Sequence, residues 1–186
     1  MKKNPKISVI VNCLNGSKFV EKCLKNILNQ TYKDIEIIFW DNNSTDNSFN
    51  IANKINSKKI KIFKSKQTDK LYSARNQAIK RSKGEYLAFL DIDDFWYKSK
   101  LKEQVEKLKI TKADLVFTEY INLKNEKRTR IRSRFIHGKD FIKEILIYMP
   151  ISISTILVKK KSAKAIGYFN EKYEIIGDLD FYFRFC

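Results

Sequence analysis

The chain has 186 residues and a formal net charge of +17, with 38 Lys and Arg residues against 21 Asp and Glu residues. A hydrophobic fraction of 43% excludes intrinsic disorder, and the length fits one globular domain with its own core. Three cysteines without a Cys-x-x-Cys pair argue against a disulfide framework or a zinc site and indicate a reducing compartment. The apolar run at residues 145–158 is interrupted by Pro150 and is too short to span a bilayer. We therefore expect a soluble cytoplasmic protein without a signal peptide.

The excess positive charge suggests a nucleic-acid-binding protein as one reading. However, the excess is spread evenly over both halves of the chain, and no RNA-binding motif is present. The abundance of Lys, Asn and Ile is also typical of codon bias towards A and T. Composition alone leaves a selected anion-binding surface and this bias as equal alternatives.

The first half of the chain alternates short β-branched runs with helical periodicity. Strands are predicted near residues 7–11, 35–40, 60–63 and 85–90, and helices at 17–28, 44–55 and 71–81. Ser17 and Ser44 are candidate helix caps, and Leu71 is expected to face inward. This alternation predicts βαβ units and a mainly parallel sheet flanked by helices, hence a single α/β domain.

The second half of the chain is less regular. It predicts a helix at residues 101–108, strands at 114–117 and 154–158, a helix starting near Gly138, and a last amphipathic segment from Asp178. Residues 124–134 are strongly basic and form either a solvated loop or an exposed hairpin. As a strand they would place Arg128, Arg130, Arg132 and Arg134 on one face, which could bind an anionic headgroup, a phosphorylated acceptor or RNA. His137, the single histidine, is interpreted as a turn residue.

Three polar clusters follow predicted strands. They lie at residues 12–15, 41–43 and 91–94, where the carboxyl ends of parallel strands place ligands. The last cluster carries three carboxylates in four residues, the donor type preferred by Mg²⁺ or Mn²⁺. The alternative is structural, because Asp93 or Asp94 could cap a helix that starts near Lys98.

The chain resembles family 2 glycosyltransferases in several motifs that occur in the family's order. They are ISVIVNCLNG (7–16), LNQTYKDIEII (28–38), DNNSTD (41–46), SARNQA (73–78), KGEYLAFLDIDD (83–94), GYFNE (167–171) and GDLDFYFR (177–184). The likeness is dense over residues 6–100 and shorter over 165–184. It implies a GT-A fold, a Rossmann-like α/β domain, whose nucleotide-sugar-binding half covers about residues 1–100. The acceptor and catalytic-base half covers about 101–186, and we expect either a minimal or C-terminally truncated catalytic domain or a lid supplied from elsewhere.

The resemblance also implies the roles of individual residues at a donor site. Asp93 is the first candidate for a direct Mn²⁺ or Mg²⁺ ligand, and Asp91 faces the ribose or the metal. Asp94 is a further candidate for the metal. Asp41 corresponds to the residue that binds the base, typically uracil. The segment with Asn12, Leu14 and Asn15 lines the same pocket. Arg75 lies near the diphosphate or holds the acidic loop, and a salt bridge to Asp91 or Asp94 is an equal alternative.

An inverting displacement needs a base for the acceptor hydroxyl, and Asp178 matches the Asp of the family's Glu-Asp motif. Gly177 stands where that Glu is usual, and Asn42-Asn43 stands where Asp-Gly is frequent. Asp180 is expected to serve structure. We expect a nucleotide-sugar donor, with UDP as nucleotide, and a surface glycan or lipid-linked acceptor. We also expect contact with the anionic inner membrane face and no nucleic-acid partner. A sugar nucleotidyltransferase is the second enzymatic alternative, although the segment after the first strand lacks its Gly-rich basic signature.

Overall fold

A six-stranded sheet forms the centre of the protein in a computed structural model that describes residues 6–124, 127–131, 139–148 and 151–185. The strands are β1 (Ile7–Cys13), β2 (Ile35–Asp41), β3 (Ile60–Lys64), β4 (Tyr86–Phe89), β5 (Leu115–Val116), β6 (Tyr120–Lys124), β7 (Lys127–Ile131) and β8 (Leu157–Lys159). The sheet order is β3-β2-β1-β4-β8-β5, and β6 and β7 form a separate antiparallel pair. Strands β1 to β4 are parallel, and β8 is antiparallel to both β4 and β5.

Helices cover both faces of this sheet. They are α1 (Ser17–Leu28), α2 (Ser48–Lys54), α3 (Leu71–Arg81), α4 (Lys100–Thr111), α5 (Lys139–Tyr148), α6 (Lys160–Ala165) and α7 (Gly177–Phe183), with a 3-10 turn at Ile153–Thr155. Side chains alternate across the strands, so Val9 and Val11 join one core layer while Ile10 joins the other. Strand β2 is buried at every position, as expected for a parallel strand covered on both faces. The predicted α/β domain with a mainly parallel sheet is therefore confirmed.

The strand order reverses between β1 and β4. From β1 the chain builds outward through β2 to β3, and then it crosses to the other side of β1 to form β4. The loops that follow these strands consequently lie at one edge of the sheet, at a topological switch point. All three predicted polar clusters lie there, because they follow β1, β2 and β4 directly.

The structure corrects four local predictions. Ser17 is the first residue of α1 and Gly16 is its N-cap residue, so Ser17 does not cap this helix. Helix α2 begins at Ser48, and Ser44 instead belongs to the loop before it. At the start of α3, Leu71 is 42% exposed and the neighbouring Tyr72 is buried in its place. Ile153–Thr155 is a 3-10 turn, and only Leu157–Lys159 pairs as a strand. In each case the apolar pattern located the element, and contacts with neighbouring elements decided its boundary.

Of the two alternatives for the basic stretch near residue 127, the structure shows the exposed hairpin, with β6 and β7 paired over five positions. Arg128 is exposed, and Arg130 forms an ion pair with Glu119 at 2.6 Å. Arg132, Arg134 and His137 lie outside the described residues. None of the described helices combines the length and the apolar character needed to cross a bilayer.

Candidate active site

The loops after β1 and β2 are held together by side-chain hydrogen bonds. Asn15 has a φ of 53°, and its backbone N–H donates to Ser44 Oγ at 3.0 Å. Its side-chain Oδ1 accepts from the backbone N–H of Thr45 at 2.9 Å, and Ser17 N donates to Asp46 Oδ2 at the same distance. Asparagine tolerates positive φ because its short polar side chain bonds locally. Asn15 therefore shapes this edge of the site, while Leu14 beside it is 49% exposed.

Asp41 lies at the carboxyl end of β2 with no solvent exposure. Its Oδ1 accepts a hydrogen bond from Ser44 N at 2.8 Å, but its buried Oδ2 has no partner among the described residues. On the neighbouring strand, the buried Nδ2 of Asn12 also lacks an acceptor there, as does Nε1 of its register partner Trp40. Unpaired buried polar atoms are costly and therefore indicate a ligand or ordered water.

The Asn42-Asn43 pair keeps the turn that the family's Asp-Gly would make. Asn43 adopts a φ of 66°, which asparagine tolerates. Asn42 is buried and ties this loop to the next one. Its Nδ2 donates to the carbonyl of Asp69 at 2.8 Å, and Asp69 N donates back to its Oδ1 at 3.1 Å. The substitution therefore supplies a fixed loop rather than a second charge.

The acidic loop after β4 is anchored by Arg75 from α3. The Arg75 guanidinium, 4% exposed, forms an ion pair with Asp91 at 2.7 Å. The backbone N–H of Asp91 donates to Ser154 Oγ at 3.0 Å. Of the two alternatives for Arg75, the structure shows the salt bridge to Asp91. The helix-capping alternative for Asp93 and Asp94 is not realised, because the residue before α4 is Ser99.

The three carboxylates of this loop differ in their surroundings. Asp93 is exposed, and within the described part of the chain its carboxylate accepts no hydrogen bond. The pKa of Asp94 is raised by partial desolvation and by the negative charges of Asp91 and Asp93. A hydrogen bond with Ser154 acts in the opposite direction but does not cancel the rise. Charges that repel in this way favour a cation between them.

The fit of a divalent cation to these residues is partial. Among the described residues, no group of three or more His, Cys, Asp or Glu side chains converges on one point. Mg²⁺ and related ions, however, are commonly held by one or two carboxylates together with substrate phosphates and water. Asp93 has the free oxygens for such a role, whereas Asp91 is already paired with Arg75. The site fits a cation that arrives with its phosphate ligands.

Asp178 lies near the start of α7 and is half-buried. Its Oδ1 accepts from Tyr72 Oη at 3.3 Å and from Leu179 N at 3.0 Å. Asp180 instead forms an ion pair with Arg184 at 2.7 Å, in line with the structural role expected for it. The predicted base and the predicted donor loops are connected through α3, because that helix carries both Tyr72 and Arg75.

Two residues of this site are not marked by the sequence pattern. Ser154 from the second half supports the acidic loop, and its carbonyl accepts from Trp96 Nε1 at 2.6 Å. No local pattern marked it, because residue 154 reaches the loop only through sheet pairing of β4 with β8. Tyr72 lies three residues before Arg75, so its position beside the Ala-Arg-Asn motif was the one available signal.

The structure is similar to solved glycosyltransferases. The chain superposes on S. aureus TarS in complex with UDP-GlcNAc with a TM-score of 0.77 and 22% identity, covering 96% of this chain and 52% of that one. It superposes on the mannosyltransferase PcManGT from Pyrobaculum calidifontis, in complex with GDP-Man and Mn²⁺, with a TM-score of 0.67 and 19% identity over 91% of this chain and 49% of that one. These likenesses confirm the expected GT-A fold.

Sequence comparison gives the family. The chain is 34% identical over 163 residues to the Escherichia coli protein WfaP, a UDP-Glc:alpha-D-GlcNAc-diphosphoundecaprenol beta-1,3-glucosyltransferase. That alignment covers 87% of this chain and 64% of WfaP, so the chain spans less than two thirds of that relative. The family described as "Glycosyl transferase family 2" matches residues 8–172. The chain therefore belongs to glycosyl transferase family 2.

Proposed function

We propose that this chain is the donor-binding and catalytic core of a metal-dependent inverting glycosyltransferase. The donor is a UDP-sugar, and the acceptor is a hydroxyl of a surface glycan or glycolipid. The observation that carries the proposal is Oδ2 of Asp41, which is buried at the sheet edge where the acidic loop also lies and has no partner in the described part of the chain. The first half of the chain binds the nucleotide-sugar, and the second half supplies the base and the acceptor side.

The nucleotide base binds at Asp41. A carboxylate oxygen accepts hydrogen bonds, so a ligand that partners it must offer a donor. Uracil N3–H and guanine N1–H offer a ring N–H at this position, whereas the ring N3 of cytosine is an acceptor and its N–H donors lie on the exocyclic amino group. Asn12, Leu14 and Asn15 line the same pocket, and the buried Nδ2 of Asn12 offers a donor. The TarS structures in complex with UDP and with UDP-GlcNAc support the choice of uracil.

The diphosphate binds at the acidic loop. Asp93 is the direct ligand for Mn²⁺ or Mg²⁺, with Asp91 towards the ribose or the metal and Asp94 as a further candidate ligand. A bound cation supplies Lewis-acid stabilisation of the negative charge that develops on the leaving nucleoside diphosphate. Arg75 keeps the loop in place through its ion pair with Asp91. The Mn²⁺ in the GDP-Man complex of PcManGT supports the use of a divalent cation.

Sugar transfer is a single displacement at the anomeric carbon. Asp178 takes the proton of the acceptor hydroxyl while the hydroxyl oxygen forms a bond to the anomeric carbon on the face opposite the leaving group. The bond between that carbon and the diphosphate oxygen breaks, and UDP leaves with the electron pair. The Oδ2 atom of Asp178 accepts no hydrogen bond from the described residues and is the oxygen open to the acceptor.

The acceptor is lipid-linked and anionic. WfaP acts on a diphosphoundecaprenol-linked sugar by name, and the net charge of +17 on this chain complements a diphosphate or an anionic membrane surface. The enzyme then works at the cytoplasmic face of the membrane as a peripheral protein. This part of the proposal predicts co-sedimentation with anionic liposomes that weakens at high salt.

Thermal unfolding with UDP and Mn²⁺, added separately and together, tests the donor site. At about 100 times the dissociation constant, the pair of ligands should add roughly 2.7 kcal/mol of stability. We expect D93N to lose the part of this gain that requires Mn²⁺. The control E106Q removes one exposed carboxylate from α4 and should behave as the wild type.

The outcomes separate the alternatives. No stabilisation by UDP with Mn²⁺, or equal stabilisation of D93N, would contradict the metal-nucleotide site. A nucleic-acid-binding protein would instead bind oligonucleotides independently of Mn²⁺ with a steep salt dependence. A sugar nucleotidyltransferase would form UDP-sugar from UTP and a sugar phosphate, which we do not expect here.

A further inference from the structure

Tyr72 links α3 to the start of α7. It is 1% exposed, yet its Oη lies 2.8 Å from the carbonyl oxygen of Ile175 and 3.3 Å from Asp178 Oδ1. The single phenolic proton can therefore be donated to either acceptor. The residue before α7, Ile176, provides no side-chain cap, and Tyr72 bonds both the carbonyl before the helix and Asp178 in its first turn.

The Tyr72 ring also occupies the space beside Gly177. A Cβ atom built on Gly177 would lie 2.5 to 2.8 Å from three ring carbons of Tyr72, well inside van der Waals contact. Any other residue at position 177 would displace either the ring or the helix start. Gly177 is the position at which this sequence departs from the Glu-Asp motif, and the structure gives a steric reason for that departure.

The ring itself is held firmly. It stacks on Phe169 with centroids 5.7 Å apart, and the Arg75 guanidinium lies 5.6 Å from its centroid. Arg75 in turn pairs with Asp91. Tyr72 thus contacts Asp178 directly and the acidic loop through Arg75.

We propose that Tyr72 is a positioning residue for Asp178, and that Gly177 is required because the tyrosine ring fills the place of a side chain there. Hydrogen bonds from Tyr72 and Leu179 both engage Oδ1 of the carboxylate, and Oδ2 accepts none from the described residues, which leaves it available to the acceptor hydroxyl. This inference rests on the proposed function, because Asp178 is the base of that mechanism.

One test measures the contact without turnover. The pKa of Tyr72 is raised by burial and by the negative charge of Asp178, while the backbone N–H groups of Asp178 and Gly177 act in the opposite direction. In protein labelled at tyrosine ¹³Cζ, the Tyr72 resonance is identified by its loss in Y72F. Its titration midpoint should fall in D178N, because that change removes the negative charge of Asp178. An unchanged midpoint would overturn the proposal.

The second test measures turnover, with UDP-glucose hydrolysis in the presence of Mn²⁺ and water as the acceptor. Y72F keeps the ring and removes the hydroxyl. We expect its kcat to fall about tenfold, as for loss of a hydrogen bond to a charged group, with KM for UDP-glucose within about twofold. Y86F is the matched control, because Tyr86 begins β4 at the opposite end from the acidic loop and should keep wild-type kinetics.

A mutant cycle tests the pairing of ring and glycine. G177A should lower the melting midpoint in the presence of Tyr72, and it should have no further effect in the Y72A background, where the ring is absent. Equal effects of G177A in both backgrounds would refute the steric part of the proposal.

The outcomes distinguish this inference from the proposed function. If D178N retains wild-type hydrolysis, Asp178 is not the base and the proposed function is wrong in that respect. If D178N is inactive but Y72F matches Y86F, the base assignment stands and Tyr72 does not position it. If the wild type hydrolyses no UDP-glucose, the donor assignment fails. The tyrosine titration and the mutant cycle then still test whether Tyr72 contacts Asp178 and Gly177 as the structure shows.

Discussion

Substitution of Asp41 by Asn gives the sharpest test of base recognition. The change is nearly isosteric. Oδ1 can still accept from Ser44 N, which lies 2.8 Å away in the wild type, while Oδ2, which has no partner among the described residues, becomes an amide NH₂ group. The acceptor that would meet uracil N3–H is thereby replaced by a donor, and the same donor matches the N3 acceptor of cytosine. D41N should lose affinity for UDP and gain affinity for CDP.

The expected magnitude follows from the type of hydrogen bond. A bond to a charged group contributes about 1.5–3 kcal/mol, and each 1.4 kcal/mol is tenfold in affinity, so UDP should bind roughly 10- to 140-fold more weakly. The unliganded protein should change in stability by less than about 1 kcal/mol, because one unpaired buried polar atom replaces another. Isothermal titration with UDP and CDP in the presence of Mn²⁺ measures both affinities.

The control for this experiment is E106Q, which removes a carboxylate remote from the site and should leave both affinities unchanged. The reasoning fails if D41N binds UDP as tightly as the wild type. It also fails if the folded D41N protein loses UDP and CDP binding alike, because the loss would then reflect a rearranged loop rather than a reversed donor and acceptor.

Two further predictions concern stability. Burial opposes ionisation of Glu36, but hydrogen bonds from Lys61, Ser8 and Lys83 N lower the pKa of its carboxyl below the value in the unfolded chain. Ionised Glu36 therefore stabilises the fold above the unfolded-state pKa, and this stabilisation is lost as the pH falls through the folded-state pKa. Urea unfolding from pH 7 to pH 3 should therefore show the wild type losing stability faster than E36Q below about pH 4.5, and parallel curves would contradict this. G84A places a Cβ 2.6 Å from the backbone nitrogen of Ser8 and should cost about 2–3 kcal/mol, whereas K83A at the exposed neighbouring side chain should cost little; equal midpoints in urea would refute the clash.

Much of the fold was predictable because its signals are local. Strand β2 is a run of β-branched and aromatic residues, and α3 extends over residues 71–81 as its periodicity predicts. Errors came where a neighbour overrode the local pattern. Ser44 resembles a helix cap, but its hydroxyl accepts from Asn15 N and its backbone N–H donates to Asp41, so it belongs to the loop. Tyr72 replaced Leu71 in the core because its ring stacks on Phe169, which is nearly a hundred residues away.

The composition and the ordered motifs by themselves determined the α/β class, the family resemblance and the carboxylates that chemistry requires, because these depend on residue type and spacing. Only the tertiary structure decided which of those carboxylates are free. It paired Asp91 with Arg75, left Asp93 open, buried Asp41 with one oxygen unpartnered, and set Tyr72 against Gly177. Such contacts join residues far apart in the chain, and packing between elements sets their geometry.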